Sequence, residues 1–407
     1  MANSSRAKTK ERLKQNVVGP DTRIERKPER SRLPLILIIA GVLAAVICIL
    51  FVVRQRIYNA EGYGEVWSKD VGSVGVTFRG YTAFNDGVIM YSKDGAEYID
   101  RKGTSIWQRS YQMSDPVCEV CGKFAVVADK GGTSFYIFSD TGNTGDASTT
   151  MPISKVAVSE KGLVYAVLSD NDAGYIYAYR KDGTPIDISV KSVLNGDGYP
   201  YDIACSPSGE QLLTSYISIN DSDVKESLVF RNFGTVGQEN DAKRVVGGFM
   251  DEFEDHIVTD VAFANNEKSH AFYDGGIAFF STKVLNSPEL LSKVEIEETI
   301  LSITDSTECT AIITEKSGND SKKTLLIYDN NGIQTGMAEF NLNYTGFTAG
   351  KKNVVVYDQD DIFVYSLNGR RVATLSYDGK ITSLSCTDGL REFIISESGR
   401  VVRIKAS

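Results

Sequence analysis

From about residue 80 to the C-terminus, apolar and polar positions alternate in short stretches separated by turns rich in Gly, Asp and Asn. A period of two predicts strands, because successive side chains on a strand point to opposite faces. The clearest unit runs from Gly87 to Tyr111. In it GVIMY is followed by the turn Asp94-Gly95, AEYID returns, Lys102-Gly103 turns again, and SIWQRSY leaves. Asp-Gly suits a tight hairpin because both central residues of a type I′ turn need positive φ.

Comparable hairpins recur at FAVVADKGGTSFYIFSDTG, LVYAVLSDNDAGYIYAYRKDG, AFYDGGIAFFS, TLLIYDNNG, NVVVYDQDDIFVYSLNG and FIISESGRVVRIKA. The first strand of each unit is expected near residues 81, 117, 154, 201, 257, 299, 344 and 380. Those spacings bracket the roughly 40–50 residues of a propeller blade. The expected fold is therefore all-β: a single β-propeller of about eight four-stranded blades, with seven as the alternative count. Only residues 286–296, NSPELLSKVEI, hold a pattern that a helical turn would accept, and a loop accepts it equally. The last unit offers three strands, and the segment Glu65–Lys69, which matches SIWQR at 105–109, is expected to supply the fourth. Joining the ends in this way removes an open sheet edge.

The run strand, Asp-Gly, Tyr-x-x-Asp, Gly, Trp between Gly87 and Trp107 resembles the repeat of quinoprotein-type (PQQ-like) propellers. IACSPSG at 203–209 looks like the first-strand signature of WD40-like propellers. The whole layout is similar to single-pass, membrane-anchored bacterial propellers that form a family of unknown function. The resemblance implies the fold and leaves the chemistry open.

The membrane part of that layout rests on residues 33–53, LPLILIIAGVLAAVICILFVV, which contain no charge from Leu33 to Val53. At about 1.5 Å per residue such a helix spans the roughly 30 Å hydrocarbon core. The run is longer than the apolar core of a cleaved signal peptide, and no small-x-small cleavage site follows it closely. Residues 1–32 hold ten Lys or Arg and four acids, a net +6 in a chain of net −9, which leaves −15 beyond the run. Basic flanks stay cytoplasmic. The expected organisation is a disordered basic cytoplasmic tail (1–32), an uncleaved transmembrane helix (33–53), a linker (54–64) and an extracytoplasmic propeller (65–407) in the cell membrane. The basic tail would also lie against anionic lipid.

Catalytic chemistry is sparse. Six cysteines are present, five of them beyond the apolar run, so complete pairing within that body is impossible. Cys118-x-x-Cys121 sits at a strand end rather than at a helix start, and no second pair exists for zinc. Cys121, Cys205 and Cys386 each fall where a first strand ends, a place for a small buried side chain. His256 and His270 are the two histidines. Asp170–Gly174 and Asp329–Gly332 begin like calcium loops, but no Glu follows at the twelfth position, and Asp, Asn and Gly serve turns equally well. No dinucleotide, P-loop or nucleophile-elbow motif is present. The acidic body disfavours nucleic acid. No metal or cofactor is expected.

Binding is expected in two loops between blades, NGDGYPYD (195–202) and GGFMDEFEDH (247–256). They place Tyr199, Tyr201, Phe249 and Phe253 beside Asp251, Glu252, Glu254, Asp255 and His256. Aromatic and charged loop residues on a rigid scaffold mark recognition, although aromatics at these positions also cover blade edges. The sequence thus points to a non-catalytic module that binds a protein or an envelope polymer. The alternative is a propeller enzyme, quinoprotein-like or a carboxylate-based hydrolase or lyase.

Overall fold

The computed structural model describes residues 33–407 except 59, 72–79, 172, 221–222, 241–242, 254 and 317–321. The expected tail (1–32) lies outside the described residues. Leu33–Tyr58 form one helix, extending past the expected span into the expected linker. Its described side chains are those of 37–49, and their large apolar members are all exposed. The side chains of Leu33 and Val53 lie outside the described ones. Among the described residues no helix is long and apolar enough to cross a membrane.

The remainder is a compact unit of eight four-stranded antiparallel sheets. Blades 1 to 7 begin at Gly80, Pro116, Ile153, Tyr199, Val258, Thr299 and Gly346, each with four consecutive strands. Blade 8 combines Ser383–Cys386, Glu392–Glu397 and Arg400–Ala406 with the N-terminal strand Tyr63–Asp70. The expected eight blades and their closure by the N-terminal strand are therefore both present. The first strands of neighbouring blades pack on one another and form the innermost ring. Apolar clusters lie between successive blades, as where Phe124, Val126 and Phe135 of blade 2 meet Val156, Val164 and Tyr179 of blade 3.

Two elements differ from expectation. Residues 286–296 hold no helical turn. Glu289–Glu295 instead pair along Gly276–Ser281 as the outer strand of blade 5, because the ladder supplies bonds that one isolated turn lacks. A six-residue helix, Thr235–Asn240, interrupts blade 4, and the Asn232 side-chain oxygen caps it by accepting from the backbone N–H groups of Gly234 and Gly237.

Closure is held by several bonds between blades. Tyr63–Asp70 pair with Arg400–Ala406, and Ala60 bridges the outer strand of blade 7 at Ala373. Trp67, on the outer strand of blade 8, donates its indole N–H to the Arg101 carbonyl of blade 1 (2.9 Å). Trp107 repeats this from blade 1 to the Ser139 carbonyl of blade 2 (3.0 Å) and stacks on Phe138. Thr144 and Thr335 hydroxyls make the same outer-strand hook from blade 2 to 3 and from blade 6 to 7. Gly145 lets the backbones of blades 2 and 3 approach there, since a Cβ would sit 2.2 Å from the Asp182 carbonyl carbon. Arg403 completes the 8–1 junction. Its guanidinium, 8% exposed, pairs with Asp86 (3.2 Å) and Glu392 (2.9 Å) and donates to the Asp86 and Arg101 carbonyls. Lys405 and Arg403 together hold the Glu392 carboxyl below its usual range.

Arg403→Met would remove the cation beside Asp86, leave Glu392 with Lys405 alone, and take one donor from each of the Asp86 and Arg101 carbonyls. It is expected to lower stability by roughly 2–4 kcal/mol, read from chemical denaturation of the full chain in detergent. An unchanged midpoint would show that closure does not depend on this pair.

Candidate functional site

In an antiparallel meander, the loops between blades and the loops between second and third strands emerge at one face, here termed upper. The two sequence-predicted loops lie there, at the 3–4 and 4–5 blade junctions. Their side chains separate into three groups. Phe253 is 0% exposed and packs edge-on to Tyr273, while Phe249 packs against Phe230 and Phe280. These two rings serve the core. Tyr199 bonds through its hydroxyl to Ser169, tying blade 4 to blade 3. The Glu252 carbonyl accepts from Lys293 (2.9 Å), and His256 Nδ1 meets Asp274 (2.9 Å), so the loop is tacked down. Tyr201, Asp251 and Asp255 remain exposed, and Glu254 lies outside the described residues.

Backbone irregularity explains the position of Tyr201. The first strands of blades 3, 4, 5 and 6 each carry a β-bulge at the same register, skipping Ser154, Tyr201, Thr259 and Leu301. A bulge bends the strand and re-aims the next side chain. The residues after the bulges are Lys155, Asp202, Asp260 and Ser302. Three of these four are charged, and they sit on strands of the innermost ring.

Glu119 on the first strand of blade 2 and Asp305 on that of blade 6 join them. Lys155 Nζ lies 2.8 Å from Asp202 Oδ1, and Asp202 Oδ2 accepts from the Val261 backbone N–H of blade 5 (3.0 Å). Burial, then the negative charges of Asp202 and Asp305, push Asp260 up to about 8. Burial first and Asp202 second push Glu119 up to about 7, although the residue as a whole is exposed. Burial opposes the Lys155 ammonium, but the carboxylates around it, Asp202 foremost, outweigh burial and raise its pKa. On the outer side of this ring, His270 is buried, and its Nε2 stands 3.5 Å from Asp305 Oδ2 without a hydrogen-bond partner.

Other candidates carry less chemistry. Cys118 and Cys121 lie three apart on one strand and enter different inter-blade clusters, so they do not face each other. Burial pushes Cys121 and Cys309 up to about 11 and Cys386 up to about 12, with Cys118 and Cys205 also raised, which keeps these thiols protonated. The Asp329 side chain accepts from the backbone of Asn331 and Ile333, which is turn chemistry. No described group of three or more His, Cys, Asp or Glu is arranged to hold a metal ion. A cleft of about 360 Å³ lined by Asn85, Asp86, Tyr98, Arg101, Asp140 and Asp388 belongs to the closure junction.

Residues 56–405 match a family described as "Family of unknown function (DUF5711)". The chain belongs to this family. The DUF5711 match takes in every blade and the closing strand, and it begins just past the apolar run. Among solved structures, BamB from Moraxella catarrhalis is similar over 84% of this chain and 99% of its own, at 12% identity and a TM-score of 0.52. Sqt1 from Chaetomium thermophilum is similar over 79% and 92%, at 14% identity and a TM-score of 0.53. A second structure of that protein, bound to the N-terminus of ribosomal protein L10, is similar over 79% and 94%, at 12% identity and a TM-score of 0.52. These likenesses establish the propeller fold. No curated protein matches the chain.

The loops were visible in sequence, whereas the channel charges were missed. Their signal is a single charge within an otherwise apolar first strand, as in VCEVC, ISKVAV, YDIAC and VTDVAF. Aligning the blades on their first strands brings these charges together.

Both Glu119 and Asp260 have folded-state pKa values above their unfolded ones near about 4. Their stabilising contribution is complete below about pH 4 and is lost as pH rises through about 7 to 8. Asp260→Asn removes this loss. It is expected to raise the melting temperature by about 2–4 °C at about pH 9 and to leave it nearly unchanged at about pH 5. Equal shifts at both pH values would contradict the channel electrostatics.

Proposed function

We propose that this protein is a non-catalytic interaction module held at the cell membrane by one helix, with the basic tail cytoplasmic and the propeller extracytoplasmic. It binds a partner protein through the upper face of blades 3 to 6, and an envelope polymer is the alternative occupant. The observation that carries the reading is the set of exposed apolar side chains on that face: Val193, Tyr201, Met250, Ile257 and Leu301. Isolated exposed apolar residues are ordinary on any surface. Here Tyr201, Met250, Ile257 and Leu301 occupy the loops and bulges of successive blades, with Val193 at the end of the outer strand of blade 3, which is how recognition surfaces are built on rigid scaffolds.

The anchor is supported by the uncharged run 33–53, by the helix formed over it and by the exposure of that helix's described apolar side chains. Such a surface is costly in water and favoured in lipid. Protein binding is also supported by the similar propeller Sqt1, which is bound to the N-terminus of ribosomal protein L10.

A carboxylate-based hydrolase or lyase is the second reading, favoured by the raised pKa values of Glu119 and Asp260 in one channel. A quinoprotein-like activity has less support, because the chain holds two tryptophans and its Cys118 and Cys121 are not vicinal.

The test is affinity capture from detergent-solubilised membranes with the full chain and with a Tyr201→Ala, Met250→Ala, Asp251→Ala, Ile257→Ala variant. One partner protein is expected with the native chain, at a yield reduced by at least about tenfold with the variant. Equal capture by both chains would overturn the face assignment. Extraction of the native chain by alkaline carbonate would overturn the anchor.

A further inference from the structure

The lower side of blades 5 to 7, opposite the proposed partner face, reverses the sign of the domain. Its connecting segments 282–288, 329–333, 350–352 and 367–371 hold five Lys or Arg and one acid, Asp329. The Asp329 carboxylate is turned onto the backbone of its own loop. On the upper side of the same sector, segments 250–253, 296–298 and 358–360 hold six acids and no base. Lys283 and Lys352 are exposed and make no ion pair among the described residues. Lys351 meets Asp388 at 2.8 Å, but both side chains are more than half exposed, so the pair is weak. Two apolar side chains, Val284 (52% exposed) and Ile333 (62%), stand among these cations. The outer edges of the three blades abut here. Gly332 lies against Phe279 and Ser292 of blade 5, Gly369 lies against the Met337 backbone, and Thr335 donates to the Leu367 carbonyl (2.9 Å).

A second observation is independent of charge. The chain enters the ring on this side: Ala60 bridges Ala373, two residues after Arg371, and the Gly62 carbonyl accepts from the Ser407 N–H at the lower end of blade 8. Ala60 follows Val53, the end of the uncharged run, by seven residues. A stretch of that length reaches at most about 25 Å.

We propose that the lower rim of blades 5 to 7 lies against anionic lipid headgroups, with Lys283, Lys351 and Lys352 in the headgroup layer and Val284 and Ile333 at its apolar boundary. This rests on the anchor reading and adds a surface to it. Three arguments select a lipid surface. The cations are spread over the connections of successive blades, which suits a broad charged plane better than a single anionic group. Apolar side chains interleave with them, and such a mixture is stable where headgroups meet acyl chains, because lysine stems bury while their ammonium groups stay solvated. The acids of the same sector sit on the other side of the ring, so an anionic plane attracts one side and repels the other. The docked orientation leaves the upper face open to a partner.

The test uses the full chain reconstituted into liposomes of phosphatidylcholine with about 30% phosphatidylglycerol, an anionic surface. Benzoylphenylalanine replaces Ile333 or Val284 on the lower rim, or Met250 on the upper face, and phospholipid adducts formed on irradiation are read by mass spectrometry. Adducts are expected from 333 and 284, with little from 250. The variant Lys283→Glu, Lys352→Glu is expected to lower the yield at 333 by at least about fivefold, and phosphatidylcholine alone to do the same, since each cation near an anionic surface contributes about that factor. Melting curves confirm that the variant is folded. Equal yields from 250 and 333, or a yield at 333 indifferent to lipid charge and to the lysine variant, overturns the proposal. Loss of the adduct on addition of polyglutamate at constant ionic strength also overturns it, assigning the rim to an acidic polymer. If the chain resists alkaline carbonate and 333 gives no adduct, the proposal fails and the anchor stands. If carbonate extracts the chain, the anchor reading falls and takes the proposal with it.

Discussion

The fold depends on one pairing between distant parts of the chain, the strand Tyr63–Asp70 against Arg400–Ala406. Without it blade 8 has three strands and the ring has two open edges, each a template for pairing with another chain. Bringing these segments together carries a loop-closure entropy that local hairpins do not face. The junction is correspondingly rich in contacts: the Trp67 hook, the Arg403 pairs with Asp86 and Glu392, and the Ala60 bridge to blade 7. The closing strand follows the helix Leu33–Tyr58 almost directly in the chain, so the segment that completes the ring is also the first strand after the proposed anchor in sequence.

Closure has an electrostatic consequence at the centre. A ring of eight blades brings the first strands together, so that the charges they carry act on one another. Asp260 and Glu119 respond by holding their protons to higher pH than free carboxyls do. A core selected for stability alone would place Asn, Thr or Val at these positions. The bulges of blades 3 to 6 direct Lys155, Asp202 and Asp260 at one register, which ties the charge pattern to a backbone feature rather than to chance substitution. Local cost accepted at a defined place in a stable scaffold is characteristic of a binding site.

Much of the architecture was legible because its signals are local. Alternating runs such as GVIMY and turns such as Asp94-Gly95 fix hairpins within a few residues, and the expected blade starts at 81, 117 and 154 stand beside the observed Gly80, Pro116 and Ile153. The likeness of EVWSK to SIWQR identified two strands that turn out to make the same hook through Trp67 and Trp107. The site was less legible because it is assembled by the ring. Composition placed Phe253 in a decorated loop, but exposure is decided by the pocket between blades 4 and 5 that Tyr273 and Phe280 provide. Glu119 and Asp260 lie far apart in the chain, and no local pattern announces that they share a channel. Residues 289–295 show the same limit, since a neighbouring strand supplies the reason for their extended form.

The most direct measurement is site-specific photo-crosslinking of the full chain in native membranes. A photoreactive residue replaces Met250 on the upper face or Ile333 on the opposite face, both exposed in the structure. The account predicts a discrete crosslinked protein from position 250 and none from 333. Crosslinking from 333 alone, or to equal extent from both positions, would contradict it.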